Sequence, residues 1–168
     1  VAQMQSRQVD QYLDTLYSAF ELVGSGVTAV QHLAIMLPPP LNNWTDSGRK
    51  TIQAYLDLGM RVSYAQCVRD QHRLVYAPDE EFLATLPTGL AAETKRFLDR
   101  THFHLEDFES EVLQPLMREF SDHPQSNMVR VWLAPINMER CSDRLLSLNK
   151  EWARKYGIGI HLHMSETI

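Results

Sequence analysis

Cysteine is scarce. Cys67 and Cys141 are the two in the 168-residue chain, they stand far apart, and neither has a CxxC partner. That argues against a disulfide framework and a thiolate zinc site, and makes a reducing, cytoplasmic setting the expectation. No apolar run approaches the roughly 18 residues needed to span a bilayer, so no membrane partner is expected. Lys and Arg never cluster beyond pairs such as Arg49-Lys50, Lys95-Arg96 and Arg154-Lys155, and the net charge is −5. Nucleic-acid binding needs a basic patch, so that class of partner is not expected either. Phosphate loops of the GxGxxG or Walker type are missing, and the nearest glycine cluster, Gly24-Ser25-Gly26, precedes an apolar run instead of following one. This speaks against a doubly wound nucleotide-binding domain. The polar opening, Val1-Ala2-Gln3-Met4, has neither an initiator methionine nor the apolar core of a secretory signal, which suggests a piece of a longer gene product.

What is present is the composition of a globular domain, 44% hydrophobic and 22% charged, with enough length for one core. Four segments read as buried parallel strands: 26–33, 60–68, 128–135, stopped by Pro135, and 158–164. Helical patterns separate them. Asp10 to Val23 spaces Leu13, Leu16, Tyr17, Phe20 and Val23 as an amphipathic stripe, and Arg49 to Leu58 does the same with Ile52, Tyr55 and Leu56. The clearest helix runs from an N-cap at Ser142 to Lys155, buries Leu145, Leu148, Trp152 and Tyr156, and stops at Gly157. Strands entered after a helix and a glycine imply βαβ units and a parallel sheet. The whole chain, 1–168, therefore reads as one α/β domain. The connection from about Arg69 to Asn127 is long, holds Pro78, Pro87 and Pro124, and carries helical patterns near 79–86, 91–98 and 105–120. It reads as a lid or specificity element at the C-terminal ends of the strands.

The segment Ile160-His161-Leu162-His163-Met164-Ser165-Glu166-Thr167 carries the chemistry. In a strand, His161 and His163 share a face. Imidazoles near the C-terminal end of a parallel strand stand where α/β active sites are built, and neutral imidazole is a good zinc ligand. A bend at Ser165 would bring the Glu166 carboxylate over the same site, where it could move protons. The alternative is a pair of hydrogen-bonded core histidines and a solvated acid.

The run Val129-Arg-Val-Trp-Leu-Ala-Pro135, then Cys141-Ser-Asp-Arg-Leu-Leu146, then Trp152 through Gly157 to His161-Leu-His-Met-Ser-Glu-Thr167 resembles the amidohydrolase superfamily. It is most similar to the branch of atrazine-chlorohydrolase-like, cytosine-deaminase-like and S-adenosylhomocysteine-deaminase-like enzymes. Gly24 to Val30 resembles that branch's second strand and Gly59-Met-Arg-Val62 its third. The resemblance implies a partial (β/α)₈ TIM-type barrel, strands two to five, with one catalytic divalent metal, zinc before iron. It implies hydrolysis of a C–N or C–Cl bond, as in deamination of a heterocyclic or amidine-like substrate by metal-bound hydroxide. His163 matches the fifth-strand metal ligand and Glu166 the proton-handling acid. His161 matches a barrel-interior or supporting position. The expected partners are a small-molecule substrate and further copies of the chain in a homo-oligomer.

Two departures from the family pattern matter. Its first-strand HxH, sixth-strand His and eighth-strand Asp have no counterpart, and one ligand cannot hold a catalytic zinc. The rival reading is therefore an inactive barrel fragment or degenerate relative acting as a scaffold or binding subunit. Second, Asn137 follows Pro135-Ile136 where many relatives have a substrate-touching histidine; an amide cannot titrate. Among the remaining candidates, His32 faces either the pocket or the core. Arg69 either grips an anionic substituent or, with Asp70, takes part in a structural salt bridge to a neighbouring loop. Trp44 and Trp132 read as packing, and His102, His104 and His123 as solvent-facing.

Overall fold

The computed structural model describes residues 10–164. The sheet has the order β1 (Ala29–Ala34), β2 (Arg61–Val68), β3 (Val129–Pro135), all parallel. Its register sets Val30, Val62 and Val129 side by side, and likewise Ala34, Gln66 and Leu133. Alternation along each strand separates two faces. Val62, Tyr64, Val68, Val129 and Leu133 enter the main core under the helices. Ala65, Cys67 and Ala134 form a second cluster on the other face with Leu33 and Trp132. Parallel strands covered on both faces read as continuous apolar runs, which is why they are visible in the sequence.

α1 (Gln11–Gly24) corrects one expectation. Its apolar stripe does not pack inward: Leu13 is 61% exposed, and Tyr17 and Phe20 are each 68% exposed. The face laid on the next helix is the small one, Thr15 and Ala19, both buried. Lys50 Nζ to Asp10 Oδ2 (2.9 Å) and Tyr12 Oη to Asp57 Oδ2 (2.7 Å) tie the two helices together. α2 (Asn42–Asp57) begins a full two turns before the Arg49 start expected, because the buried series Trp44, Gly48, Thr51, Ile52, Tyr55 is spaced for one face while its first turns are otherwise polar. Gly48 is needed there: a Cβ would lie 2.9 Å from the buried Tyr64 hydroxyl.

In the long connection come α3 (Asp79–Ala84), α4 (Thr88–Arg100), the single turn α5 (Leu105–Phe108), a widened turn Glu109–Leu113, and α6 (Gln114–Ser121). The widened turn has a cause in the sequence. Pro115 has no N–H to donate and its ring crowds the carbonyl four residues earlier, that of Glu111. The Thr45 hydroxyl of α2 donates to that freed carbonyl at 2.6 Å. α7 (Asp143–Tyr156) matches its expected limits: Ser142 Oγ accepts from Leu145 N at 3.1 Å, and Gly157 ends it with a left-handed φ of 63°.

The fourth expected strand is interrupted. Its chain runs parallel to β3 but, among the described residues, is bridged only at Leu133–Ile160 and Asn137–His163. Leu133 N donates to Gly159 O (3.1 Å) and His161 N to Leu133 O (2.8 Å). The next donor on β3 in that direction is Pro135, which has no N–H, so the ladder lapses and resumes one residue out of step, with His163 N on Ile136 O at 3.2 Å.

Candidate active site

The end of the fourth segment is set by β3 and by the loop after it. The bridge to Asn137 holds the His163 backbone at the C-terminal edge of the sheet. Asn137 is itself buried: its Oδ1 accepts from Arg140 N (2.9 Å) and its Nδ2 donates to Tyr76 Oη (3.3 Å), so the amide shapes the loop. The His161 and His163 rings meet edge to face, centroids 5.1 Å apart. His161 Nδ1 is 2.6 Å from Gln31 Nε2, which places His161 on the inner face with Gln31. Gly159 makes this approach possible, for a Cβ there would lie 2.7 Å from the Trp132 ring.

His32 is elsewhere. It sits on the helix-covered face, stacked on Tyr64 (5.8 Å, 12°) with Nδ1 3.1 Å from Tyr55 Oη. Alternation decides this, since His32 shares its face with Val30 and Ala34 of the core. Burial holds its imidazole below the ordinary value. This puts His32 on the helix-covered side of the sheet, half-buried and away from the strand-end mouth. Among the described residues neither Arg69 nor Asp70 forms a salt bridge to a neighbouring loop, but Asp70 does bind one by hydrogen bonds. Both Asp70 oxygens go to Ser142, accepting from its N (2.8 Å) and its hydroxyl (2.5 Å). Arg69 turns into the mouth formed by the strand ends, between Cys67 of β2 and Ile136 after β3. Burial, followed by the like charges of Arg140 and Arg73, lowers its pKa.

Sequence reasoning missed the residues that close this mouth. Arg73, Phe97 and Thr101 come from the long connection and meet the strand ends there; nothing in their spacing announces it. Trp44 is fully buried, as read, and its Nε1 donates to Leu37 O (2.8 Å). His102 and His104 are exposed, whereas His123 is half-buried and its Nδ1 accepts from Gln125 N (3.1 Å). Burial pushes both thiols, Cys67 and Cys141, up to about 11, so neither is a thiolate at neutral pH. Glu166 lies outside the described residues. Among the described residues no group of three or more His, Cys, Asp or Glu could hold a metal ion. No helix among them is long and apolar enough to cross a membrane.

Parallel strands alternating with helices, with loops gathered at the strand ends, define a stretch of a TIM-type barrel. Among the solved structures it resembles are two hydrolases and a deaminase. One is the atrazine chlorohydrolase of Arthrobacter aurescens TC1 complexed with zinc, at TM-score 0.65 and 19% identity, covering 93% of this chain and 30% of that one. A triazine hydrolase of the same species gives TM-score 0.66 and 18% identity over 93% of this chain and 29% of that one. Guanine deaminase from C. acetobutylicum, solved with guanine in its active site, gives 0.59 and 15% over 94% and 32%. The chain thus spans less than a third of the length of these proteins. The likeness is one of fold, and it agrees with the amidohydrolase resemblance read in the sequence. No family model matches the chain, and no curated protein matches it by sequence.

Proposed function

We propose that this chain is the strand-two-to-strand-five portion of a metal-dependent hydrolase of the amidohydrolase superfamily. Its reaction is cleavage of a C–N bond, or of C–Cl, on a planar heterocyclic or amidine-like small molecule. The observation that carries the reading is His163 pinned by its backbone to Asn137 at the C-terminal edge of a parallel sheet, the edge where barrel enzymes place their chemistry. The solved neighbours, a chlorohydrolase with zinc and a deaminase with guanine, support the reaction class.

In this reading His163 offers one imidazole to a divalent metal, zinc first and iron second, and the metal when bound supplies an activated water. The described residues do not complete such a site. The remaining ligands belong to other segments of the longer protein. Glu166 takes a proton and returns it to the departing amine or leaving group. His161, braced by Gln31, positions His163 through the contact of their rings. Asn137 fixes the loop under His163, and Arg69 faces the substrate.

The test begins with the intact mass of the protein, expected well above 19.4 kDa. Chloride and ammonia release from chloro- and amino-triazines, from guanine and from carboxylate-bearing amino-heterocycles follows. Release by the wild type and none by His163→Ala supports the reading. A metal-loaded whole protein that releases neither product across the panel contradicts it. A mass equal to that of this chain favours the scaffold reading, because the ligand set is then incomplete.

A further inference from the structure

Two adjoining cavities at the strand ends share Met36, Arg69, Arg73 and Thr101. The smaller, about 140 Å³, is otherwise walled by apolar groups, chiefly Leu37, Phe97 and Ile136. A void of about 150 Å³ lined by apolar side chains is known to take one benzene ring. The larger, about 270 Å³, is open and lined by polar groups including His104, Glu106 and Arg144.

Arg69 and Arg73 stand at their junction. Arg73 is anchored by Leu98 O (2.9 Å) and the Thr101 hydroxyl. Arg140 donates to His72 O (2.9 Å) and lies over the Tyr76 ring, 4.1 Å from its centroid. Among the described residues the Arg69 guanidinium makes no hydrogen bond or ion pair. Asp70 beside it is committed to Ser142. Asp79 is the carboxylate in whose field Arg69 stands, and its Oδ1 already accepts from Leu74 N (2.9 Å). Arg69 and Arg73 thus line a half-buried mouth whose neighbouring carboxylates are already engaged, Asp70 by Ser142, Asp79 by Leu74 N and Glu106 by Arg144. A planar guanidinium with free donors on an apolar wall matches a carboxylate carried on a flat apolar body.

We propose that Arg69, backed by Arg73, forms an anion subsite that takes the carboxylate of a small flat substrate whose ring lies against Phe97 and Ile136. This deepens the proposed function and rests on its placing substrate at the strand-end mouth. It narrows the substrate class to planar molecules bearing an acidic substituent. The Leu98 carbonyl and the Thr101 hydroxyl hold Arg73 in place, and Arg69 is left to supply the two-pronged contact. The anion reaches it from the open cavity.

The test is calorimetric titration of the full chain with benzoate and with benzamide, its uncharged isostere. Benzoate is expected to saturate, and benzamide to bind at least about tenfold more weakly, the factor that one charge-assisted contact supplies. Arg69→Gln, shown folded by circular dichroism, is expected to lose at least about tenfold in benzoate affinity. Arg69→Lys keeps the charge without the planar fork and is expected to lose affinity as well. Equal binding of the two probes, unchanged affinity in either variant, or saturation by inorganic phosphate with none by benzoate overturns the proposal. The titration needs neither metal nor turnover, so its failure leaves the hydrolase reading standing, and failure of the turnover assay leaves this subsite standing.

Discussion

Asp70, just after β2, grips Ser142 at both its backbone N–H and its hydroxyl, at 2.8 and 2.5 Å. Ser142 is the N-cap of α7, the helix that leads into the His163 segment. The carboxylate thus stabilises the first turn of that helix and fixes its start against the strand-end mouth. Asp70→Ala should lower stability by about 1–3 kcal/mol through the unpaired cap, measured by urea denaturation. Asp70→Asn, which can still accept one of the two bonds, should cost less than the alanine change.

Thr45 and Pro115 form a second coupled pair. The proline frees the Glu111 carbonyl and the threonine hydroxyl takes it up at 2.6 Å. Thr45→Val preserves shape and removes the donor, leaving a carbonyl unpaired at a packed helix contact. The expected loss is about 1–3 kcal/mol. Pro115→Ala, which restores an N–H, should shrink that loss in the double variant, and a double-mutant cycle by denaturation reads the coupling.

His32 gives the pH dependence. Its imidazole is held below the ordinary value by burial, so the folded state keeps it neutral while the unfolded chain protonates near pH 6.5. The unfolded state then binds more protons, and stability falls as pH drops from about 6.5 through the folded-state value. Above pH 6.5 the contribution is fully present. In His32→Gln this part of the slope should disappear when melting is followed from pH 7.5 down to pH 5; an unchanged slope contradicts the placement of His32 in the core.

Gly159 and Trp132 set how closely the fourth segment approaches β3. A methyl at 2.7 Å from a rigid indole cannot be absorbed without a shift. Gly159→Ala should cost about 1–3 kcal/mol by overpacking and change the Trp132 fluorescence. Under the proposed function it should also reduce turnover, because the His161–His163 pair moves with the segment.

The strands were legible because two-sided burial leaves continuous apolar runs, and α7 was legible because its cap, stripe and glycine stop all agree. The stripe of α1 was legible as a pattern but misleading as to packing. Periodicity shows that Leu13, Tyr17 and Phe20 share a face, not which neighbour that face meets. The start of α2 was hidden by polar first turns, and the lapse at Pro135 depended on which neighbour its missing N–H faced, a fact of pairing rather than of sequence. Of the candidate site, His161, His163 and Asn137 come together as a cluster, while His32 lies behind the sheet. The charge gathered around Arg69 depends on side chains 4 to 71 positions away along the chain, Arg73 and Arg140, and no local motif could disclose it.

The role of His163 as a metal ligand can be read from the metal content of the whole protein, wild type against His163→Ala, measured by inductively coupled plasma mass spectrometry. About one zinc or iron is expected per wild-type chain, as for a mononuclear catalytic site, with loss of that metal in His163→Ala. Equal metal in the two proteins would contradict the assignment of His163 as a ligand.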